Sequence, residues 1–143
     1  MFTSKGGRII LIAIHNYEIP GSSYFSFDKA ISFPSTITVK QNMLVELYAR
    51  NYNTNDGLVN GAKRIFKSYS SNNNRPDIVW IVFSDTEIGK QQRNKFKQQY
   101  DMNILPHWTP IFRIAKSLEM SHKKLQTIQK QFPIQLAYAR TIH

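Results

Sequence analysis

The 143-residue chain carries 19 Lys plus Arg against 9 Asp plus Glu, a formal charge of +10 at pH 7, and no cysteine. The length fits one ordinary domain with a single core, and the missing thiols exclude disulfide scaffolds, thiolate zinc sites and cysteine nucleophiles. A hydrophobic content of 41% with 13% aromatics excludes a disordered chain, while the basic surplus favours a polyanion, nucleic acid before acidic membrane.

In chain order, residues 9–14 (IILIAI) form an apolar run too short for a secretory or membrane segment, and they read as a buried strand. Residues 17–35 contain Pro20, Gly21 and Pro34 and read as loop. Residues 36–48 place Ile37, Val39, Leu44, Val45 and Leu47 near alternate positions, predicting a strand or a strand pair broken near Gln41 and Asn42. Residues 51–57 (NYNTNDG) predict a turn with an Asp-Gly hairpin signal. Residues 65–69 continue as a strand, and the polar stretch 70–76 (SSNNNRP) reads as a loop tip.

The continuous apolar run 78–83 (IVWIVF) predicts a strand buried on both faces. Residues 86–100 lose β-character and gain Lys, Gln and Arg, predicting a short basic helix with Ile88, Phe96 and Tyr100 on one stripe. Its cations Lys90, Arg93, Lys95 and Lys97 read as a solvated face. The segment 111–132 fits helical spacing and strand alternation alike, so periodicity leaves it open. Residues 134–139, after Pro133, read as a strand entering a core.

No G-x-x-x-x-G-K-[ST] phosphate loop, G-x-S-x-G elbow or H-E-x-x-H pair is present. His15, His107, His122 and His143 have no metal-ligand spacing, and Asp85 and Glu87 read as carboxylates favouring the first turn of the helix. Gly57 and Gly61 suit positive φ around a tight turn, with the Asn60 side chain capping free backbone groups. Arg50, Lys63, Arg64 and Lys67 gather about this turn in sequence. With Tyr48, Tyr52 and Phe66 they form either a phosphate-gripping, base-stacking patch or a solvated charged face.

Two segments carry a resemblance. Residues 37–66 match a pattern in which a strand with Lys40 leads through Met43 and Leu44 to Arg50-Asn51, then a variable loop and G-L-V-N-G from Gly57 to Gly61. Residues 131–143 match a phenylalanine-proline pair, Phe132-Pro133, followed by Leu136, Ala137, Ala139, Thr141, Ile142 and His143. In this order the segments resemble the C-terminal half of the Pif-type superfamily-one 5′-to-3′ DNA helicases, over about residues 30–143. SDTEIGK (84–90) and HWTPI (107–111) resemble the family's transposon-related branch. Arg64 departs from the relatives, which usually have a glycine-containing turn there.

The resemblance implies a mainly β, α+β fold: an SH3-like small β-barrel flanked by edge strands of a truncated RecA-like domain. Residues 1–36 would be a remnant of that domain, 37–132 the barrel insert with its helix near 86–100, and 133–143 a strand returning to the parent sheet. It turns 108–120 and 125–138 into strands joined at 121–124. It implies nucleic-acid contacts at Arg50, Asn51, Lys63, Arg64, Lys67, Thr141 and His143, with Gly57, Asn60 and Gly61 as structural turn residues. The implied partner is single-stranded DNA, without a membrane, together with a helicase core domain that this chain lacks. ATP and Mg serve the intact family and no cofactor is assigned to this chain. No catalytic residue is assigned either, and the chain alone is expected not to hydrolyse ATP. The parent function is DNA unwinding in replication, repair, recombination or telomere maintenance, in nucleus or mitochondrion if eukaryotic and otherwise in the cytoplasm, without secretion. The alternative is a non-enzymatic basic β-barrel that binds nucleic acid.

Overall fold

The computed structural model describes residues 7–17, 34–48, 51–72, 75–120 and 125–137. Ten strands run in chain order: β1 (Arg8–Ile12), β2 (Ile14–Tyr17), β3 (Thr36–Lys40), β4 (Leu44–Leu47), β5 (Lys63–Asn72), β6 (Arg75–Val82), β7 (Thr109–Phe112), β8 (Ile114–Met120), β9 (Leu125–Gln131) and β10 (Ile134–Leu136). One α-helix, α1 (Lys90–Lys95), and short 3-10 turns at Thr54–Asp56 and Lys97–Gln99 complete the described elements. The mainly β class expected from the sequence is what forms.

The strands make three antiparallel sheets: β1-β3, β10-β4-β5-β6-β7, and β2-β9-β8. Backbone hydrogen bonds do not close them into a complete barrel. The sheets are linked by strands that change partner at a corner, a device of orthogonal β-packing. β1 leaves β3 at Ala13 and continues as β2 on β9. β7 leaves β6 at Arg113 and continues as β8, while β9 passes through Phe132-Pro133 into β10 on β4. The apolar run 9–14 and the strand segment expected at 108–120 are therefore each divided between two strands.

The five-stranded sheet has apolar side chains on both faces. Val79, Ile81 and Phe83 point toward β1-β3 and meet Leu11, Val39, Val45, Leu47, Phe66 and Phe132. Ile78 and Trp80 point the other way and meet Ile104 and Trp108 in the segment after α1. Continuous burial of the run after Asp77 follows from strand alternation between these two cores. Each fully buried Leu, Ile or Phe contributes about 1.5–3 kcal/mol of transfer free energy.

Two local expectations change. The polar stretch 70–76 is not a loop throughout: β5 runs to Asn72 and β6 begins at Arg75. A hydrogen bond from Trp80 Nε1 to Ser70 Oγ, 2.7 Å, gives one of those serines a buried indole to accept from. The helix is shorter than 86–100, because Gly89 at φ +81° starts it only at Lys90 and Phe96 ends it. The expected loop at 17–35 falls largely outside the described residues, as does the turn at 121–124.

The corners converge on Arg113. Its Nη1 bonds Asp77 Oδ2 at 2.7 Å, and its Nη2 donates to the Ile12 carbonyl at 2.8 Å. Its guanidinium lies 4.5 Å from the centre of the Phe132 ring, a cation–π contact. Tyr69 donates to the same Asp77 oxygen at 2.9 Å, and its ring meets Phe132 edge-on. One guanidinium thus ties together β6 and all three corners. Burial alone would raise the Asp77 carboxyl pKa, but hydrogen bonds from Arg113, Tyr69 and Ser71 outweigh it and hold it below its ordinary value.

Candidate nucleic-acid interface

The Asn-Asp-Gly turn is closed at both ends, because Asn53 and Leu58 exchange backbone hydrogen bonds at 2.9 and 3.0 Å. Inside it the 3-10 turn ends on Gly57 at φ +75°, with its N–H donating to Thr54 O. Gly61 sits at φ +93°, and its N–H donates to Leu47 O at 2.7 Å. Both glycines therefore hold the left-handed geometry expected of them. The capping is reversed from the expected direction. Asn51 Oδ1 accepts the Asn60 backbone N–H at 2.8 Å, so Asn51 supplies the side chain and Asn60 the backbone.

The turn also starts the helix. Asp56, buried, accepts the N–H groups of Gln91 and Gln92 on its two carboxylate oxygens at 2.9 and 2.8 Å, and its carbonyl accepts Gly89 N–H. A carboxylate on the first-turn amides satisfies orphan donors and opposes the positive end of the helix dipole. Asp85 and Glu87 do not have this role: Asp85 Oδ1 accepts the Glu87 N–H in the turn before the helix. Tyr52 reinforces the joint, its hydroxyl accepting from Gln92 Nε2 and Phe112 N–H, both at 3.1 Å. The cap was hidden in sequence because donor and acceptor lie 35 and 36 residues apart.

The cations about the turn do not share one face. Lys63 stands opposite Glu46 on β4, whereas the next residue, Arg64, stands opposite Val45. Adjacent strand residues point to opposite faces, so the two head groups diverge. The Arg64 Nη1 donates to the Lys63 carbonyl and its Nε is buried without a hydrogen-bond partner. Lys67 falls in the register shift between Phe66 and Ser68, and its Nζ bonds Asn42 Oδ1 at 2.6 Å. Phe66 is 0% exposed inside the core and cannot stack a base, which corrects that part of the expectation. Tyr52 is committed to its hydrogen bonds, and burial pushes the Tyr48 hydroxyl pKa up. Arg50, Thr141 and His143 lie outside the described residues.

A second basic region is better assembled. Lys90, Arg93 and Asn94 share one side of α1 at i, i+3, i+4 spacing, and Lys97 follows in the 3-10 turn after the helix. They line one wall of a cleft of about 400 Å³. Tyr100 and Ile104 line it too, with Pro106. Gly89 lets α1 lie against β7: an added Cβ would come within 2.6 Å of Thr109 Oγ1. Arg93 fixes the helix by donating to the Ile88 carbonyl at 2.8 Å and to Thr109 Oγ1 at 3.0 Å. The Tyr100 hydroxyl donates to Trp108 O at 2.6 Å, and its ring packs on Trp80 at 4.8 Å. Burial pushes that hydroxyl up to about 12, partly countered by Arg93. The helical spacing was the sequence signal for this wall, but the Tyr100–Pro106 side gave none.

Among the described residues no three His, Cys, Asp or Glu side chains gather to hold a metal. No helix of the described residues is long and apolar enough to cross a membrane. No family model and no curated protein matches the chain.

Solved structures do match. A Pif1 helicase described as unwinding forked double-stranded DNA by two coordinating copies aligns at TM-score 0.52 and 13% identity, covering 94% of this chain and 23% of that one. A Bacteroides Pif1 bound to single-stranded DNA aligns at TM-score 0.50 and 12% identity, covering 94% and 25%. Pif1 helicase from Candida albicans aligns at TM-score 0.53 and 14% identity, covering 94% and 30%. The chain spans 23% to 30% of the length of these helicases. Over that span it has the fold of a part of Pif1 helicases.

Proposed function

We propose that this chain is a DNA-binding part of a Pif-type 5′-to-3′ helicase, an SH3-like insert at 37–132 flanked by pieces of a RecA-like domain at 1–36 and 133–143. The observation that carries this reading is the likeness over 94% of the chain to Pif1 structures, one of them bound to single-stranded DNA. The +10 charge fits a phosphate-rich partner. A second observation agrees: Ile10 and Ile12 on the outer side of β1 are 54% and 60% exposed, a surface suited to cover by a helicase core domain.

ATP and Mg belong to the intact family, and the residues here do not fit them. The sequence has no phosphate loop, and the described carboxylates form no metal-binding group. No step of ATP hydrolysis is placed on this chain. Its proposed contribution is to hold the strand through Lys63 and Lys67 and through Arg50, Thr141 and His143, with Asn51 and Arg64 engaged within the fold.

The test is anisotropy titration of a labelled oligothymidylate with the full chain at two salt concentrations, beside an ATPase assay. Micromolar, salt-weakened binding without ATP hydrolysis above a no-protein control is expected. DNA-stimulated hydrolysis by this chain would sink the assignment of a partial helicase, and no binding at low salt would sink its DNA-contacting role.

A further inference from the structure

The geometry points to the cleft beside α1 as a seat for one unstacked base of a single-stranded polynucleotide, with Lys90 and Lys97 on the flanking phosphates. The class of ligand rests on the DNA-binding reading above, but the residues are different ones. Three features meet there. The volume, about 400 Å³, lies within the range of small-ligand pockets. Its Tyr100 ring is held by an edge contact with Trp80 and at its tip by the Trp108 carbonyl, so stacking a base on it orders little that is not already ordered.

The third feature is charge. Residues 90–100 (KQQRNKFKQQY) contain four cations and no carboxylate. Arg93 is held by the fold, but Lys97 is exposed and makes no ion pair among the described residues. Lys90 has one partner, Glu87, at 3.8 Å across largely exposed side chains, an interaction a phosphate displaces at small cost. The nearest other carboxylate in sequence, Asp101, accepts the Asn103 N–H within its own turn. A free mononucleotide shares the chemistry, but the two lysines lie seven residues apart along the wall, which suits phosphates on both sides of a base.

The experiment uses the full chain and three probes: labelled oligothymidylate, an abasic oligomer of equal length, and a 5-iodouracil oligomer for photo-crosslinking. Lys90→Gln with Lys97→Gln is expected to weaken oligothymidylate binding about tenfold. The salt slope should fall by about 1.4, from two lost contacts at about 0.7 each. The control Arg75→Gln with Lys130→Gln removes equal charge from exposed strand positions and is expected to change affinity less than twofold. The crosslink is expected at Tyr100, and the abasic oligomer is expected to bind several-fold more weakly. If both double variants weaken binding equally, or the crosslink maps only elsewhere, the cleft is overturned while DNA binding stands. If the unaltered chain binds no oligonucleotide, both readings fall. Equal binding of the abasic oligomer overturns the base seat.

Discussion

At the strand corners and at the α1 cleft the protein uses positive charge in opposite ways. Arg113 is spent on the fold, bonding Asp77 and the Ile12 carbonyl while its guanidinium lies against Phe132. In the cleft Arg93 is likewise held by backbone and Thr109, but Lys90 has only an exposed pairing with Glu87 and Lys97 is exposed at its edge. A planar fork with five donors suits fixed multi-point bonding, whereas an ammonium on a flexible stem suits a wet, mobile phosphate. The net charge of +10 therefore overstates the surface available to a polyanionic partner, since the described arginines 64, 93 and 113 are partly consumed inside.

The largest expected effect tests which side of this division an aromatic residue lies on. Phe66 is completely buried in the core. Phe66→Ala should lower stability by about 3–5 kcal/mol in urea unfolding. Phe66→Leu should retain the fold and bind oligothymidylate with unchanged affinity. Loss of affinity in a folded Phe66→Leu protein would restore Phe66 to the interface.

Next in size is the corner itself. Arg113→Met leaves Asp77 without its cation and Ile12 O without its donor, and should cost about 3 kcal/mol. The same substitution should leave the affinity for oligothymidylate within twofold. An exposed pair such as Lys90–Glu87 should cost under about 1 kcal/mol when broken. Equal thermal shifts for the two substitutions would erase the distinction between structural arginine and surface lysine.

The Asp56 cap is expected to matter less, at about 2 kcal/mol for Asp56→Ala. Its loss should reach the cleft, because α1 carries Lys90 and Arg93 of the wall and leads into the 3-10 turn that carries Lys97. Hydrogen exchange should show faster amides at Gln91 and Gln92 and little change at Ile81. Unchanged exchange at those two amides would show that Gly89 and the packing on β7 hold α1 without the carboxylate.

These residues also show what the sequence makes legible. The run 78–83 was readable because alternation between two cores leaves no polar position in it. Gly57 and Gly61 were readable because the turn demands positive φ. The ambiguity of 111–132 is resolved by resemblance and not by period, since the corner at Arg113 interrupts the alternation. Asp56 on α1, Arg113 on Asp77 and Phe66 in the core were hidden for a shared reason. Each depends on a pairing made only when distant strands meet. The charge cluster about the turn looked coherent because Lys63 and Arg64 are neighbours in the chain, and neighbours in a strand face apart.

The smallest effect separates the two regions by pH. Asp77 has its folded-state pKa below the unfolded value, which is about 3.9. The unfolded chain then binds the proton more readily, so the corner contributes stability that is fully present above about pH 4. That stability is lost as pH falls through the lower, folded pKa. Tyr100 runs the other way: with its hydroxyl raised to about 12, its stability is present below about pH 10 and lost between there and 12. Unfolding at pH 6, 4 and 3 should show the gap between the unaltered chain and Asp77→Asn shrinking with acid. Tyr100→Phe should show no such acid dependence and should instead flatten the alkaline limb. If Asp77→Asn leaves the acid limb unchanged, Arg113 owes its hold on the corners to Ile12 and Phe132 instead of to the carboxylate.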